Sequence, residues 1–264
     1  MQDLKISIIQ SEIIWENPDK NINHFNKKID EIIEETDLII LPEVFNTGFP
    51  VDPNNFAETL NGKTISWLKQ KASEKNCVIT GSILIEENKK FYNCLIWMPA
   101  DGKFKMYNKR HVFHLGEESD LISPGKEKLI VELKGWKICP MICFDLRFPV
   151  WSKNCFINNT FEYDLLVYVA NWPAQRSYPW KQLLISRAIE NLSYLVGVNR
   201  IGTDGEKNNY SGDSAVINPA GKIISNINPG KEQTETIKLS YKNLNQFRNN
   251  FNVGYDWDNF EIND

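Results

Sequence analysis

At 264 residues, with 42% hydrophobic and 24% charged side chains, the chain has the make-up of an ordered globular protein whose core needs no metal or disulfide support. Its formal net charge of -4 supplies no positive field to gather phosphate backbones or anionic lipid, so neither nucleic acid nor a membrane is expected as a partner. Five cysteines, at 77, 94, 139, 143 and 155, form an odd set without paired zinc-ligand spacing, which points to free thiols in a reducing, cytoplasmic setting.

From the start, Met1 to Gln10 carries an early acid and no long apolar stretch, and reads as a first strand, Lys5 to Gln10, instead of a secretory leader. Asn17 before Pro18 opens a helix in which Ile22, Phe25, Ile29, Ile32 and Ile33 recur at three- and four-residue steps to form one buried face. Strand patterns follow at Leu38 to Leu41, Val78 to Leu84, Phe91 to Met98, Leu129 to Leu133, Trp136 to Ile142, Leu165 to Ala170, Tyr194 to Asn199 and Ser214 to Asn218, with a further strand-like stretch at Gly102 to Met106. A second helix is expected over about Thr64 to Lys75 and a third over about Trp180 to Leu192, with Leu183, Leu184, Ala188 and Leu192 on one side. No apolar run approaches the ~20 residues a membrane helix requires.

Hairpins beside helix-linked strands predict an α/β protein with mixed sheets. No stretch is rich enough in Pro, Gly or Ser to act as a linker and no repeat is visible, so residues 1–264 are expected to form one domain. The tail from about Lys242 holds Phe247, Phe251, Tyr255, Trp257 and Phe260, which predicts that it packs on the body or on a partner subunit.

Three segments carry residues suited to chemistry. Trp136 to Ile142 is a strand that ends at Cys143, and Phe144-Asp145-Leu146-Arg147-Phe148-Pro149 then changes character; at such a turn a thiol and the following backbone N–H groups can face one spot. A buried core cysteine would look the same. Leu38-Ile39-Ile40-Leu41-Pro42-Glu43 is an apolar strand ending in a carboxylate, and because Pro42 cannot continue a central ladder, Glu43 belongs at the sheet's end. Tyr107-Asn108-Lys109-Arg110-His111, with Glu117-Glu118 shortly after, taken alone reads as a solvated charge cluster.

Together these segments resemble the three signature blocks of the nitrilase superfamily of carbon–nitrogen hydrolases, in order and at fitting intervals, with Gly48-Phe49 close behind the first. Val169-Ala170-Asn171-Trp172-Pro173, Arg187-Ala188-Ile189-Glu190-Asn191, Val198-Asn199-Arg200 and Gly212-Asp213-Ser214 also resemble family segments, so the likeness runs from about Lys5 to Leu239. The resemblance implies a four-layer α-β-β-α sandwich, commonly paired into a homodimer, for which the aromatic tail and the face near Trp180 would be contacts. It implies that Glu43, Lys109 and Cys143 form a catalytic triad and that Glu118, selected over Glu117 by the count onward to Ser123-Pro124-Gly125, is the fourth member. No cofactor and no metal is implied.

These residue types suit amide cleavage. A thiol is only a few per cent ionised at neutral pH, and a carboxylate whose proton affinity is raised by burial can act as its base. Glu43 is expected in that role. Lys109, held between two acids, keeps its proton and, with the Phe144 N–H, meets the tetrahedral oxyanion. Glu118 either orients Lys109 or assists the water that releases the thioester.

Cys143 to Ser152 with Asn171-Trp172-Pro173-Ala174 and Arg176-Ser177 most resembles the omega-amidase branch, which implies small-molecule amide substrates such as 2-oxoglutaramate and 2-oxosuccinamate. Arg147, Trp172 and Arg176 are then candidates to receive the distal carboxylate, although Arg147 could instead pair with Asp145 and Trp172 could be ordinary core. Other readings remain: a different amidase or N-carbamoyl hydrolase of the superfamily, a Cys-His hydrolase using His111 or His114, a metal site at Cys139 and Cys143, or a non-catalytic binding protein on the same fold.

Overall fold

The computed structural model describes residues 2–50, 52–114 and 118–262. In chain order its elements are β1 (Leu4–Gln10), α1 (Pro18–Asp30), β2 (Leu38–Ile40), α2 (Lys63–Lys75), β3 (Val78–Glu87), β4 (Lys90–Met98), β5 (Lys105–Asn108), α3 (Glu118–Leu121), β6 (Val131–Leu133), β7 (Trp136–Ile142), α4 (Pro149–Ser152), β8 (Phe156–Ile157), β9 (Thr160–Phe161), β10 (Leu165–Ala170), α5 (Ser177–Glu190), β11 (Tyr194–Asn199), β12 (Ile201–Thr203), β13 (Asn209–Ser211), β14 (Ala215–Ile217), β15 (Gln233–Leu239) and α6 (Tyr241–Asn250). Two mixed sheets result. One runs β15-β1-β2-β3-β4-β5 and the other β14-β11-β10-β7-β6, each with a parallel centre and antiparallel edges.

The sheets pack face to face because their central strands are apolar on both sides. Leu38 and Ile40 of β2 enter the core shared with β7, β10 and β11, whereas Ile39 and Leu41 enter a second core under α1 and α2. β4 divides likewise, Leu95 and Trp97 to the first core and Cys94, Ile96 and Met98 to the second. On the far side of the second sheet, Trp180 and Leu184 of α5 lie against Gly197 of β11, where a Cβ would sit 2.7 Å from Leu184. This gives the α-β-β-α order of layers.

Several boundaries differ from expectation. α1 ends at Asp30, so Ile32 and Ile33 leave the helical face; Ile32 still packs in the second core, but Ile33 is 90% exposed. Gly102, at φ +73°, belongs to a turn, which delays β5 to Lys105. Leu129 precedes β6, and α5 starts at Ser177 and stops before Leu192, which adopts φ +47°. Trp180 is fully buried and so is no part of any surface. In the tail, Arg248 of α6 is buried against Asp164 at 2.5 Å, and Tyr255 and Trp257 meet Phe156 and Phe161 edge-on. No helix among the described residues is long and apolar enough to cross a membrane.

Candidate active site

Strands β2, β5, β7 and β10 all end at one rim, the carboxyl end of the parallel strands, where α/β proteins place ligands. Lys109, Cys143 and Asn171 follow β5, β7 and β10 directly, and Glu43 follows β2 after Leu41 and Pro42. After β2, Pro42 stops the ladder and the chain turns through Val44 at φ +42°, with the Val44 N–H donating to Ser82 Oγ at 2.9 Å. Glu43 is thereby fixed in a turn braced on β3, fully buried. Lys109 follows β5, its N–H donating to the Asn93 carbonyl at 2.9 Å. Cys143 follows β7 at φ +41° and opens a short 3-10 turn, Cys143–Arg147. For a non-glycine residue such a backbone costs on the order of 1–3 kcal/mol and persists only where neighbours enforce it.

The neighbour that enforces it is Asp145. Its buried carboxylate accepts the Ile142 N–H at 3.1 Å, the Tyr107 hydroxyl at 2.7 Å, and the His111 N–H and Nδ1 at 3.0 and 2.8 Å. Asp145 therefore does not pair with Arg147, whose guanidinium instead lies 4.9 Å from the Trp172 ring. His111 stacks on Phe148 with ring centres 3.8 Å apart and is committed to Asp145, while His114 is exposed. Cys139, fully buried in β7, does not share a strand with Cys143, and no group suited to hold a metal ion occurs among the described residues.

Glu43, Lys109, Glu118 and Cys143, drawn from separate stretches, meet at this rim. Lys109 Nζ donates to Glu43 Oε1 at 3.0 Å and to both oxygens of Glu118 at 2.8 and 3.0 Å. Glu118 also accepts the Phe113 N–H at 2.8 Å; its neighbour Glu117 lies outside the described residues. Glu43 Oε2 accepts the Asn171 N–H at 2.7 Å, Asn93 Nδ2 donates to Oε1 at 2.8 Å, and the Asn171 amide donates to the Glu43 carbonyl. Phe49 lies 5.3 Å from the ammonium.

Burial raises the proton affinity of Glu43; Lys109 opposes this and Glu118 reinforces it. Burial alone would loosen the Lys109 proton, but Glu118, Glu43 and the thiol outweigh it, so Lys109 is held as an ammonium. The Cys143 thiol is pushed well up, first by burial and then by the nearby Glu43 carboxylate; Lys109 pulls the other way. The arrangement is a thiol on one cavity wall with a carboxylate of enhanced proton affinity and a lysine held as its cation.

All four residues line a cavity of about 460 Å³. Phe144, Arg147, Trp172 and Arg176 line it too. Trp172 is 3% exposed, donates from Nε1 to the Arg176 carbonyl at 2.7 Å and packs on Trp180, so it is core and cavity wall at once. Arg176 lies 5.3 Å from the Phe113 ring. Asp204, Glu206, Asn208 and Tyr210 of the β12–β13 hairpin close another side. Asn93 and the hairpin are not singled out by the sequence reading, which offers Asp145 only as a partner for Arg147; for Asn93 the available signal is an amide immediately before the apolar run Cys94-Leu95-Ile96-Trp97-Met98.

Residues 5–249 match the profile of the carbon–nitrogen hydrolase family. The omega-amidase YafV of Escherichia coli (strain K12) is 38% identical over 262 residues, 99% of this chain and 100% of the relative. The 2-oxoglutaramate amidase of Bacillus subtilis is 32% identical over 83% of this chain and 85% of its own length. Among solved structures, XC1258 of Xanthomonas campestris, a CN-hydrolase superfamily protein with an arsenic adduct in its active site, superposes over 100% of both chains with a TM-score of 0.97 at 39% identity. With that likeness along nearly its whole length, the chain belongs to the carbon–nitrogen hydrolase family and is an amide-hydrolysing enzyme.

Proposed function

We propose that the enzyme hydrolyses the terminal amide of small 2-oxo acid amides, 2-oxoglutaramate and 2-oxosuccinamate, to the 2-oxo acid and ammonia through a thioester on Cys143. The observation that carries this reading is the convergence of Cys143 with the hydrogen-bonded Glu43–Lys109–Glu118 chain on the wall of one cavity, which Arg147 and Arg176 also line.

In this reading Glu43 takes the thiol proton as sulfur attacks the amide carbon. The Lys109 ammonium and the Phe144 N–H, whose place in the first turn of a 3-10 helix leaves it without an intrahelical partner, stabilise the oxyanion. One such donor is worth about 3 kcal/mol. Glu43 returns its proton to the leaving nitrogen, ammonia departs, and water hydrolyses the thioester. The double contact from Glu118 to Lys109, together with the Phe113 N–H on Glu118, supports an orienting role for that acid.

Arg147, Arg176 and Trp172 form the wall that would receive the distal carboxylate, since guanidinium groups match carboxylate geometry. The names of the relatives at 38% and 32% identity support the same substrate class. Five free cysteines support a cytoplasmic setting, and exposed Tyr178 and Ile189 on α5 support a homodimer. Ammonia release from 2-oxoglutaramate, measured beside release from glutamine, asparagine, simple nitriles and N-carbamoyl amino acids, tests the assignment; a preference for any of the others defeats it.

A further inference from the structure

The Glu43 carboxylate is bound by one neutral amide side chain that the reaction itself does not call for. Asn93 on β4 is fully buried, and its Nδ2 donates at 2.8 Å to Glu43 Oε1, the oxygen that Lys109 also reaches. The Asn93 carbonyl accepts the Lys109 N–H at 2.9 Å. One residue thus fastens the carboxylate with its side chain and the lysine with its backbone. It has this reach because β4 runs antiparallel to β3 and β5, so the early part of β4 lies at the same rim as the ends of β2 and β5.

Packing does not account for an amide here. Asn93 Oδ1 has no hydrogen-bond partner among the described residues, and a buried polar atom left so costs about 1–3 kcal/mol. An apolar strand residue would avoid that cost. Turning the amide over would set its oxygen against the Glu43 carboxylate, so the orientation is fixed by Glu43 and the donor points where the negative charge resides.

We propose that Asn93 is a positioning residue that keeps the Glu43 carboxylate ionised and aimed at the Cys143 thiol, in register with Lys109. The inference rests on Glu43 acting as the base of the proposed reaction. The step concerned is one proton transfer: the S–H bond of Cys143 breaks, an O–H bond forms on Glu43, and the electron pair stays on sulfur. The groups facing Glu43 divide in their effect. Lys109 and the Asn171 N–H favour the ionised carboxylate, Glu118 opposes it, and the Cys143 thiol is the proton donor. A neutral donor on Oε1 adds to the favourable side, and its removal raises the pH at which Glu43 loses its proton.

The test needs no substrate. Carbamidomethylation of Cys143 by iodoacetamide, located by peptide mass, is followed against pH in the full-length wild-type protein, Asn93→Leu and Glu43→Gln. In Asn93→Leu the midpoint of the acidic limb is expected to move up by about one pH unit, the scale of a hydrogen bond to a charged group. A side chain that only fills space would lower the rate at every pH and leave the midpoint in place, and that result overturns the proposal. Should Asn93→Leu not fold, Asn93→Val, which suits a strand and also lacks the donor, carries the same expectation. Glu43→Gln separates the two levels of argument: a wild-type profile in that variant removes Glu43 as base and the proposal with it, whereas loss of the limb there beside an unmoved midpoint at Asn93 defeats the role of Asn93 alone.

Discussion

The Tyr107 hydroxyl donates to Asp145 at 2.7 Å and, together with the two bonds from His111 to the same carboxylate, ties the segment that carries Lys109 to the turn that carries Cys143. The same oxygen of Tyr107 accepts the Trp151 Nε1–H at 3.0 Å and the Arg110 N–H at 3.3 Å. Tyr107→Phe keeps the ring and deletes the node, leaving a buried indole donor without an acceptor. The expected loss of stability is about 1–3 kcal/mol, read by urea denaturation, with kcat lowered and KM held because no group that meets substrate has changed. An unaltered unfolding midpoint would show that the node does not join the two segments.

Cys143→Ala should bring turnover below about one-thousandth of wild type while leaving the fold intact, since alanine keeps the Cβ and loses only one small buried sulfur. Glu43→Gln should reduce kcat by roughly 10²–10⁴-fold. His111→Ala, by contrast, should destabilise the protein through Asp145 yet retain substantial activity, and His114→Ala should do neither. Loss of activity in either histidine variant comparable to that of Glu43→Gln would restore the histidine-base reading.

The cavity wall makes a separate prediction about specificity. Arg147→Met and Arg176→Met keep the length of each side chain and remove its charge, so KM for 2-oxoglutaramate should rise about tenfold or more while kcat on a small neutral amide is retained. Steady-state ammonia assays with both substrates decide it. Equal losses on the neutral and the anionic amide would mean that the arginines shape the cavity without reading charge.

A pH effect on stability is expected at Glu232, which does not line the cavity. Glu232 accepts Ser11 Oγ at 2.6 Å and Lys28 Nζ at 3.0 Å. Partial burial works against its charge, but these partners and the Glu12 N–H prevail and bring its pKa down from 4.5 to about 2. A carboxyl depressed on folding contributes stability that is complete above its ordinary value and is lost as pH falls through the folded value. Glu232→Gln should therefore be less stable than wild type at neutral pH, and the gap should close between pH 4.5 and about 2. Urea midpoints across that range would contradict this by a gap constant in pH.

Where a feature depended on local pattern it was readable in the chain. The apolar strands, the turn after Ile142, the stop imposed by Pro42 and the order of Glu43, Lys109 and Cys143 all lie in short segments whose chemistry is self-contained. Features that depend on distant neighbours were not. β15 reads Gln-Thr-Glu-Thr-Ile-Lys-Leu, a polar run that becomes a strand by pairing with β1, and α6 carries few apolar residues because its chief buried contact is the charged pair Arg248–Asp164. The roles of Asn93 and Asp145 belong to the same class: an amide in a hairpin strand, and an acid that the sequence offers only as a partner for Arg147, acquire meaning from residues 50 and 38 positions away, Glu43 and Tyr107. Ile32 and Ile33 misled in the opposite sense, since they continue the helical period beyond the point where the chain turns at Glu31.

β1 pairs with β15 over its full length, Leu4 opposite Leu239 through Gln10 opposite Gln233. On the ribosome the seven residues of β1 therefore wait for this lateral neighbour until the other strands of the sheet have been made, and closing so long a loop is slow. A nascent chain halted before that seam forms would present a bare, apolar strand edge of the kind that recruits other chains. Pairing with β15, as much as composition, is what covers this edge of the sheet.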